Sequence, residues 1–138
     1  MKTLIIIPTL NETKNINNLI NKIFSLFNYN VLVIDDNSSD GTIEKLKLLR
    51  KKYKRLKFLV RKTEKGIGSA HLKGIYFAYY HNYNFCISMD ADGTHDPKEI
   101  KKMLKICSQN KYDIVNTSRF INKNSLSDWP YLRKYITR

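Results

Sequence analysis

The chain has no apolar run long enough to cross a membrane. Its longest runs, such as LIIIP at Leu4–Pro8 and VLVI at Val31–Ile34, fall far short of the roughly 20 residues that span a bilayer. The N-terminus has a single Lys before a strand-like run and no small-residue cleavage site, so it does not resemble a signal peptide. These absences predict a cytoplasmic protein.

Cysteine is scarce, and no nucleophile or zinc motif is present. Cys86 and Cys107 lie in apolar periodic segments without CxxC spacing, which predicts buried, reduced thiols rather than a disulfide or a zinc site. His71, His81 and His95 lack metal-ligand spacing, and no Ser lies in a GxSxG turn. The sequence therefore offers no support for nucleophilic hydrolase chemistry.

Acidic residues are also few, with 12 Asp and Glu against 25 Lys and Arg, and the net charge is +13. This excess predicts an anionic partner, which could be nucleic acid, an acidic membrane surface or a phosphorylated substrate. Most of it is Lys in runs such as EKLKLLRKKYKRLK, which are typical of a solvated helix face. Hydrophobic residues make up 42% of the chain and no Pro- or Ser-rich linker interrupts it, so we expect one globular domain over residues 1–138.

Strand-length apolar runs alternate with helix-period segments along the chain. This order predicts an α/β fold with a mainly parallel sheet and helices on both faces. In such sheets ligands bind beyond the carboxyl ends of the strands. The predicted strands are Lys2–Ile7, Val31–Ile34, Lys57–Val60, Phe85–Met89 and Asp113–Thr117. The predicted helices are Asn15–Phe27, Ile43–Tyr53, a helix that ends near Tyr80, and a helix that begins at Pro97.

Each predicted strand ends in polar residues, namely PTLNE, DDNSSDGT, RKTEKGIG, DADGTHD and TSRF. Asp90 and Asp92 flank Ala91 where the fourth strand stops, so both carboxylates can reach one cation. Hard oxygen ligands of this kind suit Mg²⁺ or Mn²⁺. Asp96, by contrast, is explained as the cap of the helix that begins at Pro97.

A second acidic pair, Asp35 and Asp36, ends the second strand. One of the two can accept hydrogen bonds from a nucleobase edge or a ribose hydroxyl, while backbone donors hold the other. The stretch KGIGSA matches neither GxGxxG nor the phosphate loop GxxxxGK[ST]. Arg119, together with Arg133 and Arg138 near the end of the sequence, is a candidate for bidentate phosphate contacts.

Together the segments IPTLNE, VIDDNSSDGT, KGIGSAHLKG, MDADGTHDP and TSRF resemble family 2 glycosyltransferases, in order and at compatible spacing. Among these, the polyprenyl-phosphate (dolichol-phosphate) mannose synthases are the most similar. The resemblance implies a GT-A, Rossmann-like fold. It also implies inverting transfer of a hexose, in these synthases mannose from GDP-mannose, to a polyprenyl or dolichyl phosphate. Glucosyl transfer from UDP-glucose is the alternative.

The resemblance also implies residue roles. A nucleotide-sugar donor would contact Pro8, Leu10, Glu12, Ile34, Asp36, Asp90, Ala91 and Arg119. Asp90, Asp92 and Thr94 would lie at a Mg²⁺ or Mn²⁺ ion, and the catalytic residues would be Asp92, Arg119 and Arg133. Arg119 would contact the donor phosphates and Arg133 the acceptor phosphate. Because that acceptor is already an anion, no general base is required.

The sequence departs from the mannose synthases in two places. Thr94 stands where they often have a residue such as Gln, and INKNSLSD replaces a Gly-rich stretch. The chain is also shorter than such enzymes usually are, so it resembles a C-terminally truncated enzyme. We expect peripheral contact with an acidic membrane on its cytoplasmic face, assisted by a missing C-terminal segment or a membrane-anchoring subunit, and no nucleic-acid partner.

Two other classes fit parts of the sequence. DADGT copies the DxDGT motif of haloacid dehalogenase phosphatases, in which the first Asp attacks phosphorus. That motif normally opens the domain and precedes a second acidic pair, whereas here it begins at Asp90 and no DD pair follows. A basic nucleic-acid-binding domain would explain aromatic residues among polar ones, as in YYHNYN. It would leave the polar strand ends unexplained.

Overall fold

The computed structural model describes residues 1–110 and 112–117. Within them, parallel strands alternate with helices in one sheet of order β3-β2-β1-β4, which confirms the predicted α/β class. The strands are β1 (Thr3–Thr9), β2 (Asn30–Asp35), β3 (Leu56–Val60) and β4 (Phe85–Ser88). The helices are α1 (Ile16–Leu26), α2 (Thr42–Lys52), α3 (Ile67–Tyr80) and α4 (Glu99–Asn110).

The two inner strands, β1 and β2, are almost continuously apolar because helices cover both faces of the sheet. Every residue of β1 is buried, as are all residues of β2 after Asn30. The register pairs Thr9 with Asp35, and Ile6 with Ser88. The carboxyl ends of β1, β2 and β4 therefore meet at one edge of the sheet.

Helix α3 approaches the sheet closely because its buried stripe consists of small residues, Ala70, Gly74 and Ala78. A Cβ atom built on Gly74 would lie 2.5 Å from Cγ2 of Ile6. Helices α1 and α2 pack against each other and cover the opposite face. Facing α3 are Leu4, Ile6, Leu32 and Ile34, and the alternate residues Ile5, Ile7, Val31 and Val33 are equally buried.

Two expectations about local structure are wrong for the described residues. Residues 112–117 form no strand, and Ile114 is 86% exposed. A strand persists only where a neighbour completes its hydrogen bonds, and none of the described strands pairs with this segment. Cys86 is exposed and Cys107 partly exposed. Cys86 is paired with Leu4 and lies on β4, the edge strand of the sheet that the described residues form.

The chain divides into a compact unit, Met1–Lys101, and a second unit that begins at Lys102. The first unit contains the whole sheet and the cleft described below. A single glycosyltransferase domain over residues 1–138 stays a prediction.

Candidate functional site

A cleft of about 360 Å³ opens at the carboxyl ends of β1, β2 and β4. Its volume is within the range of small-molecule sites in proteins. It also lies where open α/β sheets bind ligands. The lining residues are Pro8 and Thr9 at the end of β1, Leu10 and Glu12 after it, Asp36 after β2, Lys65, Gly66 and Ile67 at the start of α3, and Asp90, Ala91 and Asp92 after β4.

The loop that follows β1 is held in place by the loop that follows β2 and by the first residue of α2. The backbone N–H of Asn11 donates to Oγ of Ser38 at 2.8 Å, and the N–H of Glu12 donates to Oγ1 of Thr42 at 3.0 Å. Asn11 has a φ of 58°, a left-handed conformation that Asn tolerates better than most residues. These contacts fix Leu10 and Glu12 at the rim of the cleft.

Asp40 also joins the loop after β1 to the start of α2, because it accepts hydrogen bonds from Thr13 and Thr42. Its Oδ1 accepts from the N–H and hydroxyl of Thr42, at 3.0 and 2.6 Å, and its Oδ2 accepts from the N–H of Thr13 at 2.9 Å. Desolvation acts to raise the pKa of Asp40, but these hydrogen bonds outweigh it and hold the pKa below its usual value of 3.8. Bonds to the ionised form favour that form.

We expect Asp40→Asn to lower the melting temperature near pH 7 and to have a smaller effect in acid. The folded-state pKa is below the unfolded value, so the stabilisation is complete above about pH 5 and is lost as the pH falls through 4 and below. Thermal unfolding from pH 7 to 2.5 checks this, with Asp113→Asn as an exposed carboxyl control. A difference between wild type and Asp40→Asn that stayed constant with pH would contradict the assignment.

The two aspartates at the end of β2 have different environments. Asp35 is fully buried and accepts from the N–H and hydroxyl of Ser38, at 2.8 and 2.6 Å, and from the hydroxyl of Thr9 at 3.1 Å. Asp36 lines the cleft, where Arg61 Nε and the N–H of Gly66 each donate to it at 2.7 Å. Asp35 is therefore held inside the protein, whereas Asp36 lines the cleft.

Sequence reasoning missed Arg61, which is 5% exposed. The available signal is an Arg placed directly after a strand, next to an acidic pair on the neighbouring strand. In the structure the N–H of Arg61 donates to the carbonyl of Asp35 at 2.7 Å, so β3 delivers the guanidinium beside Asp36.

The acidic pair after β4 is more open. The side chain of Asp90 is 41% exposed, and its backbone N–H donates to Nδ1 of His95 at 3.1 Å. Oδ1 of Asp92 accepts from the N–H and hydroxyl of Thr94, at 2.9 and 2.7 Å. Desolvation acts to raise the pKa of Asp92. The hydrogen bonds from Thr94 and the charge interaction with His95 outweigh it, so the pKa lies below its usual value. Asp92 is therefore ionised at neutral pH.

Asp90 and Asp92 have the donor chemistry for a divalent cation. No group of three or more His, Cys, Asp or Glu able to hold a metal occurs in the described part of the chain. Two carboxylates suit Mg²⁺ or Mn²⁺, because such ions commonly complete their coordination with water and substrate phosphates. The residues present therefore fit a metal shared with a phosphorylated ligand better than a metal held by protein alone.

Most of the predicted site residues meet at the cleft. Ile34 does not, because its side chain is fully buried in the core against α3. Thr94 contacts Asp92 but does not line the cleft. Arg119 and Arg133 lie outside the described residues, and all the assigned roles stay predictions. The predicted residues that line the cleft are Pro8, Leu10, Glu12, Asp36, Asp90, Ala91 and Asp92.

Comparison with protein families gives a match to glycosyl transferase family 2 over residues 4–138. A dolichol-phosphate mannosyltransferase of Pyrococcus furiosus is 36% identical and aligns with 100% of this chain and 39% of its own. An undecaprenyl-phosphate mannosyltransferase of Micrococcus luteus is 30% identical, over 99% of this chain and 56% of its own. The chain thus spans between about two fifths and just over half the length of these curated relatives.

Solved structures share the fold. A mannosyltransferase of Pyrobaculum calidifontis in complex with GDP-Man and Mn²⁺ superposes with a TM-score of 0.67 at 20% identity, over 78% of this chain and 32% of its own. A glucosyl-3-phosphoglycerate synthase of Mycobacterium tuberculosis, in complex with Mn²⁺, UDP and glucosyl-3-phosphoglycerate, superposes with a TM-score of 0.62 at 16% identity, over 78% and 40%. Both neighbours are glycosyltransferases, and they support the predicted GT-A fold.

Proposed function

Because the chain belongs to glycosyl transferase family 2, we propose that it binds GDP-mannose and takes part in inverting transfer of mannose to a polyprenyl phosphate. The observation that carries the proposal is the convergence of Asp36, Asp90 and Asp92 on one cleft. The names of the curated relatives, which are polyprenyl-phosphate mannosyltransferases, supply the sugar and the acceptor class. The family match over residues 4–138 also favours a glycosyltransferase over the phosphatase and nucleic-acid interpretations.

In the proposed reaction, an oxygen of the acceptor phosphate attacks the anomeric carbon of mannose. The bond between that carbon and the diphosphate oxygen breaks, GDP leaves with the electron pair, and the configuration inverts. The attacking oxygen is already anionic, so no proton has to be removed by the protein.

Different residues of the cleft would bind different parts of the donor. Asp36 would accept hydrogen bonds from the nucleoside, with Pro8, Leu10 and Glu12 beside it. Asp90 and Asp92 would hold a divalent ion, which when bound would offset charge on the departing diphosphate. Arg119 and Arg133 are proposed to contact the donor and acceptor phosphates respectively, as the family resemblance implies.

Titration with nucleotide sugars tests the choice of donor. We expect GDP-mannose to bind in the presence of Mn²⁺ and to lose most of its affinity when the metal is chelated. UDP-glucose should bind at least about tenfold more weakly, because the curated relatives are named as mannosyltransferases; tenfold corresponds to about 1.4 kcal/mol. Calorimetry with both donors, with and without Mn²⁺, makes the comparison. Binding of neither donor in the presence of Mn²⁺ would contradict the proposal.

We further propose that the protein contacts the cytoplasmic face of an acidic membrane, where a polyprenyl phosphate would be found. The net charge of +13 favours an anionic surface. Helix α3 adds exposed apolar and Tyr side chains, and Tyr is enriched at membrane interfaces. None of the described helices combines the length and apolar character that a bilayer crossing requires. A further C-terminal segment or an anchoring subunit would strengthen the contact. The exposed α3 side chains are Leu72, Ile75, Tyr76, Tyr79 and Tyr80.

Sedimentation with vesicles tests the membrane contact. Binding should rise with anionic lipid content and fall as salt is raised, because the attraction decays within a Debye length of about 8 to 10 Å. Changing Tyr79 and Tyr80 together to Ser should weaken it a few-fold, and the control Leu48→Ser, an exposed change on α2, should not. Binding that was equal on neutral and anionic vesicles would contradict the electrostatic part of the proposal.

A further inference from the structure

Arg61 is buried next to the cleft and bonds to two of the residues that line it, Asp36 and Gly66. Its side chain is 3% exposed, and Arg61 is not among the residues that line the cleft. Nε donates to Oδ1 of Asp36 at 2.7 Å, Nη1 donates to Oγ of Ser69 at 2.8 Å, and Nη2 donates to the carbonyl of Gly66 at 2.9 Å. One guanidinium therefore bonds in three directions, to the end of β2 and to the first turn of α3.

Gly66 closes the arrangement into a ring. Its N–H donates to Oδ2 of Asp36 at 2.7 Å, while its carbonyl accepts from Arg61. Gly66 has a φ of 115° and a ψ of 140°, a backbone conformation that residues with a Cβ rarely adopt. Both oxygens of Asp36 and both polar backbone groups of Gly66 are thus engaged in one network.

We propose that Arg61 is a positioning residue for nucleotide binding, which acts through Asp36 and Gly66. By holding the carboxylate of Asp36 and the turn at Gly66 in one arrangement, it would fix the relative position of two walls that a nucleoside touches. This inference rests on the proposed function. The three partners of Arg61 are met by donors on three different nitrogens of one planar group. Lys at this position would keep the charge but would carry its donors on a single nitrogen, so it would lose this geometry.

Calorimetric titration of GDP with Mn²⁺ on four proteins tests the inference. These are the wild type, Arg61→Lys, Asp36→Asn and the double variant. We expect Arg61→Lys to weaken GDP binding about tenfold, which is the size of one charge-assisted hydrogen bond. In the Asp36→Asn background the same change should have little further effect, because the carboxylate that Arg61 positions is then gone. Arg50→Lys, an exposed change on α2, is the control and should leave binding unchanged.

Amide hydrogen exchange at Gly66, measured by NMR without nucleotide, gives a second readout. The Gly66 N–H should exchange faster in Arg61→Lys than in the wild type or the control. Faster exchange with unchanged GDP affinity would overturn the positioning role. Fully additive losses of affinity in the double variant would also overturn it, because they would show that Arg61 does not act through Asp36. Absence of GDP binding by the wild type would instead overturn the proposed function.

Discussion

Replacing Asp92 with Ala should abolish Mn²⁺-dependent binding of GDP-mannose and leave the fold intact. Asp92 lies at the mouth of the cleft after β4, and it is exposed rather than part of the core. Its loss would leave Asp90 as the single carboxylate of the proposed metal site. We expect an affinity loss of at least about a hundredfold, equivalent to about 2.7 kcal/mol, by calorimetry with GDP-mannose and Mn²⁺.

Asp96→Asn is the matched control for this change. Asp96 is also exposed, and its Oδ1 accepts from the N–H of Lys98 at 3.1 Å and pairs with Lys22 at 3.0 Å. It does not line the cleft, so the control should bind GDP-mannose as the wild type does. If Asp92→Ala kept the affinity of the wild type for Mn²⁺ and GDP-mannose, the metal assignment would be wrong.

Two glycines of α3 should respond to Ala in opposite directions. A Cβ on Gly74 would lie within 3.0 Å of three side-chain atoms of Ile6, and Ile6 is fully buried. Gly74→Ala should therefore destabilise the protein by about 1–3 kcal/mol through overpacking. A Cβ on Gly68 meets nothing within 4 Å, so Gly68→Ala should stabilise α3 by roughly 0.5–1 kcal/mol.

Thermal unfolding of the two variants side by side checks this difference. At roughly 3 °C per kcal/mol for a chain of this size, Gly74→Ala should melt several degrees below Gly68→Ala. Equal melting temperatures would show that α3 does not pack against β1 as closely as Gly74 allows. Because both changes remove a glycine from the same helix, helix propensity alone cannot produce the difference.

The sequence allowed the residues that meet at the cleft to be named, because their positions follow directly from strand order; their roles stay predictions. Parallel strands bring their carboxyl ends to one edge, so Asp36 and Asp92 could be placed together without knowledge of any contact. The sequence also predicted that Asp35 and Asp36 have different binding partners, since two adjacent carboxylates repel unless each has its own partners. Which of the two faces the cleft depends on contacts with other segments: Thr9 and Ser38 hold Asp35, and Arg61 and Gly66 hold Asp36.

Other features depend on contacts between distant segments. Arg61 acquires its role only when β3 lies beside β2, and a lone Arg in a sequence is most often a surface residue. Ile34 is one residue from the acidic pair, yet its side chain points into the core towards α3. The segment Asp113–Thr117 contains the β-branched residues Ile114, Val115 and Thr117 but has no strand partner among the described residues. Composition cannot supply that partner.

The most direct test is a crystal structure of the protein with GDP-mannose and Mn²⁺, with the metal located by anomalous scattering. We predict a Mn²⁺ peak within bonding distance of the carboxylates of Asp90 and Asp92, with the diphosphate bound to the same ion and the nucleoside beside Asp36. Nucleotide bound away from this cleft, or bound within it without a Mn²⁺ peak at Asp90 and Asp92, would contradict the proposal that these strand ends form a metal-dependent donor site.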